Sequence, residues 1–120
     1  MSIEECYRQI GADYKSVFSR LGSDKMIYRF LKKYFDKDEY GELETAIREK
    51  RWEDAFLYSH NMKGYGLNLS LTELADTSSA LCESLRGGEP DGDIETLLLD
   101  VKRAYDRTEE AVNALELGKA

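Results

Sequence analysis

The chain has little of what most single-domain functions rest on: one proline, two cysteines, one histidine and one tryptophan in 120 residues. Its longest apolar run is Ala55-Phe56-Leu57-Tyr58, and Ser2, Glu4, Glu5 and Arg8 interrupt the N-terminus, so neither a membrane span nor a signal peptide is expected. Cys6 and Cys82 stand far apart with no second cysteine near either, which leaves no CxxC pair and no zinc framework. Both are expected to be reduced packing residues of a cytoplasmic protein. Positive charge is also short, with 17 Lys and Arg against 24 Asp and Glu, a net charge of -7 and a pI near 4.8. A nucleic-acid partner, which needs a basic surface, is therefore not expected. At 13.8 kDa the chain has room for one domain and one core, and none for a kinase or nucleotide domain besides.

What is present is helical periodicity. Apolar residues recur at i, i+3, i+4 nearly everywhere, and no sustained period-two alternation argues for a strand. Ile94, Leu97, Leu98, Val101, Ala104, Tyr105, Thr108, Ala111, Val112 and Leu115 predict one long amphipathic helix over about 93 to 117. Leu71, Leu74, Ala75, Ser78, Leu81, Cys82 and Leu85 predict another, which Ser70 and Glu73 open at the spacing of a capping box. The glycines and the proline of Arg86-Gly87-Gly88-Glu89-Pro90-Asp91-Gly92 separate the two. Upstream, Ser23 caps a helix marked by Ile27, Phe30, Leu31 and Tyr34, and Tyr40, Leu43, Ala46 and Ile47 mark a further one. Ile3, Cys6, Tyr7 and Ile10 suggest a short leading helix ended by Gly11, with a second short piece from Tyr14 to Leu21. Short joints favour antiparallel neighbours. The expected fold is therefore an all-α, antiparallel up-and-down four-helix bundle with additional short N-terminal helices, as a single domain over 1–120.

Residues 52 to 69 depart from a plain core helix. At about 100° per residue, with His60 at zero, Ala55, Tyr58, Met62, Tyr65, Gly66 and Leu69 gather on the far side as the core face. Within about 60° of His60 lie Glu53, Phe56, Leu57, Lys63, Gly64 and Leu67. A lone histidine is most often a satisfied core or surface residue, and its place opposite the core stripe removes the core version. A plain surface residue does not account for Gly64, which costs a helix interior about 1 kcal/mol relative to alanine. Nor does it account for three large apolar residues clustered on the solvent side, which suggest a docking patch unless a shorter helix covers Leu57 and Leu67.

Free imidazole titrates at about pH 6.5, so near neutrality it offers a lone pair without a helper base. A phosphoryl group placed on it brings nearly two negative charges, which Lys63, one turn away on the same face, can offset. The missing side chain at Gly64 would let a partner's backbone approach the ring. Lysine alone is usually a solvated surface charge, and only the combination argues for phosphoryl transfer.

The stretch His60-Asn61-Met62-Lys63-Gly64, with Asn68-Leu69, Leu74 and Leu81 downstream, resembles the motif of the histidine-containing phosphotransfer (HPt) domain family, roughly H-x-L-K-G followed by N-L-G, L and L-E. The likeness runs over about residues 10 to 115 and takes in Phe30, Phe35, the stretch from Ala46 to Trp52, and Arg86-Gly87-Gly88. Met62 stands for leucine, Ser59 for a common alanine, Ser70 for a glycine, Cys82 for a common glutamate, and Tyr65 fills a site that is usually small. None of these departures touches His60, Lys63 or Gly64.

The resemblance implies a phosphocarrier of multistep two-component signalling that exchanges a phosphoryl group with the aspartates of response-regulator receiver domains, downstream of a hybrid histidine kinase. It implies that His60 is phosphorylated, that Lys63 stabilises the phosphoryl group and that Gly64 gives access. Phe56, Leu57, Asn61 and Leu67 would form part of the docking surface. No cofactor is expected in the chain, since the Mg²⁺ of the reaction would sit on the receiver; a monomer without independent turnover is expected.

Other classes fit less well. A carboxylate-bridged metal enzyme on a helical bundle needs Glu-x-x-His pairs, but Leu57 stands three before His60 and there is no second histidine. A hydrolase using His60 as base for a serine would need a pocket that a convex helical face does not offer. The serious alternative is a docking module that binds receiver or kinase domains through the same face without being phosphorylated.

Overall fold

The computed structural model describes residues 1–119, with the side chains of 1–115, and all seven elements in that span are helices. Three come first: α1 (Ile3–Gln9), α2 (Tyr14–Leu21) and α3 (Asp24–Phe35). They are followed by α4 (Glu39–Arg48), α5 (Trp52–Asn68), α6 (Thr72–Leu85) and α7 (Ile94–Lys119). Each of the first four starts at a residue whose side chain can accept a hydrogen bond. Ser2, Asp13, Ser23 and Asp38 accept from the backbone N–H of Glu5, Ser16, Met26 and Gly41 respectively. Each cap satisfies one of the orphan donors of a first turn, a contribution of about 1 kcal/mol.

Joints of three residues connect α4 to α5 and α5 to α6, so each helix must fold back on the one before it. The most extensive packing is between α5 and α6; α4 also packs on α5, α6 on α7, and α7 returns to touch α4. The core between them holds Leu43, Ala46, Ala55, Met62, Leu74, Leu81, Val101 and Ala104, all buried. An aromatic group of Tyr34, Phe35, Tyr40 and Tyr105 closes one flank, with ring centroids 4.8 to 6.2 Å apart. Both cysteines are buried and free, and burial pushes the Cys6 thiol up to about 11, which keeps it an inert protonated group.

The short N-terminal helices are tied to the α5–α6 turn. The Tyr7 hydroxyl donates to the Leu69 carbonyl at 2.8 Å and the Asp13 N–H to the Ser70 carbonyl at 3.0 Å. The Arg20 guanidinium donates to the carbonyls of Leu67 and Asn68 and to the Ser70 hydroxyl. These donors answer carbonyls that the end of α5 would otherwise leave unpaired.

Four details correct the sequence reading. Ser70 does not cap α6: it sits at φ +56 in the left-handed region, Leu71 holds the cap position without a side-chain bond, and Glu73 pairs instead with Arg107 at 2.7 Å. A left-handed residue ending α5 is where glycine is normally favoured, and here Arg20 holds the serine. Phe30 is not core but 39% exposed, while Phe35 is buried. Tyr58 and Tyr65 are only half-buried, and Ser59 takes a core place, its hydroxyl satisfied by the Phe56 carbonyl at 2.9 Å. The last helix runs to Lys119, past the 117 expected, and its side chains beyond Leu115 lie outside the described residues.

Candidate functional site

α5 has two unlike faces, one buried against α6 and one left open. Ala55, Ser59, Met62 and Gly66 are buried and let α6 approach closely. A Cβ on Gly66 would lie 2.8 Å from the Ala75 nitrogen and 2.9 Å from its Cα, so no larger residue fits there without moving α6. On the opposite face a Cβ on Gly64 would meet nothing within 4 Å.

His60 is exposed on that open face and makes no hydrogen bond to any described residue, so both ring nitrogens are available to solvent or a partner. Its ring stacks on Phe56, centroids 6.2 Å apart at 19°. Phe56 is half-buried and packed on the core, which anchors the imidazole from beneath. The Arg86 guanidinium lies over the Phe56 ring at 5.6 Å and pairs with Glu83 at 2.6 Å. The bond from Arg86, with its charge and that of nearby Lys63, holds the Glu83 carboxyl below its usual range. Lys63 itself is half-buried and makes no hydrogen bond or ion pair among the described residues, and its charge acts on the nearby Glu83 carboxylate.

A shallow groove of about 390 Å³ runs along the other flank of His60. His60, Asn61, Gly64, Tyr65 and Asn68 form its α5 wall, and Lys37 and Glu39 face them from the α3–α4 joint and the start of α4. The convex, pocketless surface expected around the histidine is therefore not what the chain forms, because the joint before α4 rises beside α5. The Lys37 ammonium donates to the Tyr65 hydroxyl at 3.3 Å and lies 5.6 Å from that ring's centroid. Tyr65 in turn packs on Tyr34, centroids 4.3 Å apart. Glu39 is 7% exposed with one carboxylate oxygen unpartnered, and burial pushes its pKa up despite the charge of Lys37.

Of the residues singled out in the sequence, His60, Lys63, Gly64 and Phe56 come together on one face, and Asn61 borders the groove. Leu57 and Leu67 are 53% and 56% exposed, so no shorter helix covers them. They lie on the same face, at opposite ends of the His60 turn. Phe18 and Phe30 are also exposed, and Phe30 and Leu21 line an apolar pocket of about 290 Å³ with Tyr65 and Leu69. Sequence reasoning missed Lys37 and Glu39 at this site and gave Arg86 no role beyond its place in the Arg86-Gly87-Gly88 stretch of the HPt likeness. Nothing local links Lys37 and Glu39 to His60; the one clue was Tyr65, too large for its place in the HPt pattern.

Among the described residues no group of three or more His, Cys, Asp or Glu is placed to hold a metal ion, and no helix is long and apolar enough to cross a membrane. No model of a known protein family, no curated protein and no solved structure matches the chain.

Proposed function

We propose that the protein is a histidine phosphocarrier of the HPt kind, which takes a phosphoryl group onto His60 from the aspartyl phosphate of a response-regulator receiver domain and passes it to another. In this reading α4 to α7 are an antiparallel up-and-down four-helix bundle and α1 to α3 are additions at its N-terminal side. The closed ring of contacts from α4 through α7 and back supports that description. The observation that carries the functional reading is His60 itself. It is exposed, unbonded, and stacked on a core-anchored phenylalanine, with a lysine one helical turn away and open space at the next residue.

The chemistry follows from that geometry. A neutral imidazole nitrogen attacks the phosphorus of the receiver's mixed anhydride, an N–P bond forms, and the O–P bond breaks with its electron pair leaving on the aspartate carboxylate. The other ring nitrogen keeps its proton, so no base is required. Stacking on Phe56 limits ring motion, which lowers the entropic cost of aligning nitrogen with phosphorus. Lys63 offsets the incoming negative charge. At Gly64 the helix backbone lies open, so the receiver's own backbone can approach the ring. Phe56, Leu57, Asn61 and Leu67 belong to the docking surface. The Mg²⁺ of the reaction belongs to the receiver in this scheme, the carrier has no turnover of its own, and it acts as a cytoplasmic monomer between a hybrid histidine kinase and its regulators.

The test is to mix the protein with radiolabelled phosphorylated receiver domains and follow label onto wild type and His60→Gln. The carrier reading expects rapid transfer to wild type alone, giving an acid-labile, base-stable adduct. Binding without transfer to either form would leave the docking-module reading instead.

A further inference from the structure

We propose that Lys37, held on the ring of Tyr65, is a second cationic arm of the His60 site that binds a phosphoryl group carried on that imidazole. The inference rests on the carrier reading and names a residue that the HPt pattern does not supply.

The two lysines lie on opposite flanks of His60. Lys63 and Gly64 follow His60 by three and four residues, which places them on either side of it around α5. The groove lies on the Gly64 side, where Asn61, Tyr65 and Asn68 continue it. Lys63 does not line that groove; Lys37 does, as its one cation among the described residues. His60 itself lines the groove, and nothing lies within 4 Å of where a Cβ at Gly64 would stand.

The main chain of Lys37 is fixed while its ammonium is not. Its N–H donates to the Tyr34 carbonyl at 3.3 Å, and its carbonyl accepts from the Tyr105 hydroxyl at 3.1 Å. The side chain is exposed, and its ammonium is held by a long bond to the Tyr65 hydroxyl, by the face of that ring and by attraction to the Glu39 carboxylate. Such contacts are weak at exposed sites, so a phosphoryl dianion competes well for the ammonium. Glu39 gives the arm a further reason to exist. Its buried carboxyl borders the same groove with one oxygen unpartnered, and in an acidic chain a dianion beside it needs a compensating charge. Tyr65 therefore acts as the positioning residue: it parks the ammonium over the groove.

The experiment phosphorylates the full-length protein with phosphoramidate, a small donor that needs no receiver, and follows the phosphohistidine by ³¹P NMR in wild type, Lys37→Gln and Tyr65→Phe. A cation near the phosphoryl group lowers its second ionisation. Lys37→Gln is expected to raise that ionisation by several tenths of a pH unit and to shorten the adduct's lifetime by about two- to fivefold, as expected of an exposed charge pair. Tyr65→Phe, which keeps the ring and loses the hydroxyl, moves both in the same direction by less. In 1 M salt, where the screening length is about 3 Å, wild type approaches the Lys37→Gln values. An unchanged ionisation and lifetime in Lys37→Gln, with wild type carrying phosphate, overturns the second arm and leaves the carrier reading standing. A wild type that takes no phosphate on His60, from phosphoramidate or from any receiver, overturns both.

Discussion

Gly64 and Gly66 lie two residues apart in α5 and each weakens the helix by a similar amount, yet they are there for opposite reasons. At Gly66 the backbone of Ala75 on α6 is so close that a single methyl group would collide with it. At Gly64 there is nothing to collide with. One glycine is required by the fold as it stands; the other meets nothing inside the chain, which fits the access role given to it in the carrier reading. A helix glycine therefore counts as evidence for function only after its packing role has been tested and found empty.

The largest effect is expected at Gly66. Gly66→Ala forces α5 and α6 apart and lowers stability by about 1–3 kcal/mol, read as a shift of the urea midpoint, with phosphotransfer per folded molecule retained. Loss of transfer without loss of stability would erase the contrast between the two positions. Next comes Arg20, whose guanidinium holds the same end of α5. Arg20→Ala leaves the Leu67 and Asn68 carbonyls to solvent and lowers stability by about 1 kcal/mol in the same unfolding assay. Gly64→Ala goes the other way: it raises stability by about 0.5–1 kcal/mol, because the methyl enters open space and the unfolded chain loses freedom. In the carrier reading, transfer from a phosphorylated receiver slows in the same variant, and a Gly64→Ala protein that is more stable and equally fast would remove the functional reading of this glycine.

The smallest effect belongs to Glu39, on the groove side of Gly64. Its folded-state pKa lies above the ordinary glutamate value of 4.5, so the folded protein holds this proton more tightly than the unfolded chain does. Stability contributed by the protonated form is fully present below that ordinary value and is lost as pH rises through the raised one. Glu39→Gln removes this part of the slope, which urea titrations at a series of pH values above 4.5 detect as a flatter profile for the variant.

Much of the fold was legible because its signals are local. Ser23 caps α3 as its position predicts, and the short pieces ending at Gly11 and beginning at Tyr14 form as expected. The stripe from Leu98 to Leu115 is buried along one helix. The candidate site was legible to the same depth, since His60, Lys63 and Gly64 are neighbours on one helix and share a face by arithmetic alone. Where reading failed, a distant segment had decided the outcome. Ser70 and Glu73 have the spacing of a capping box, but Arg20 and Arg107 take both side chains away. Phe30 falls on the apolar stripe of α3 yet stays partly in solvent, because no element covers that part of the helix.

Most helices, several of their caps and breaks, and the side of α5 on which the histidine stands are legible in the sequence, because hydrogen bonding and periodicity act within a few residues. That Gly66 is a packing requirement while Gly64 is open space, that Arg20 closes the end of α5, and that Lys37 and Glu39 stand across a groove from His60 follow from how the helices assemble. Those facts depend on which segments come to lie side by side, and that is set by how the buried faces of all the helices fit together at once, which no local pattern contains.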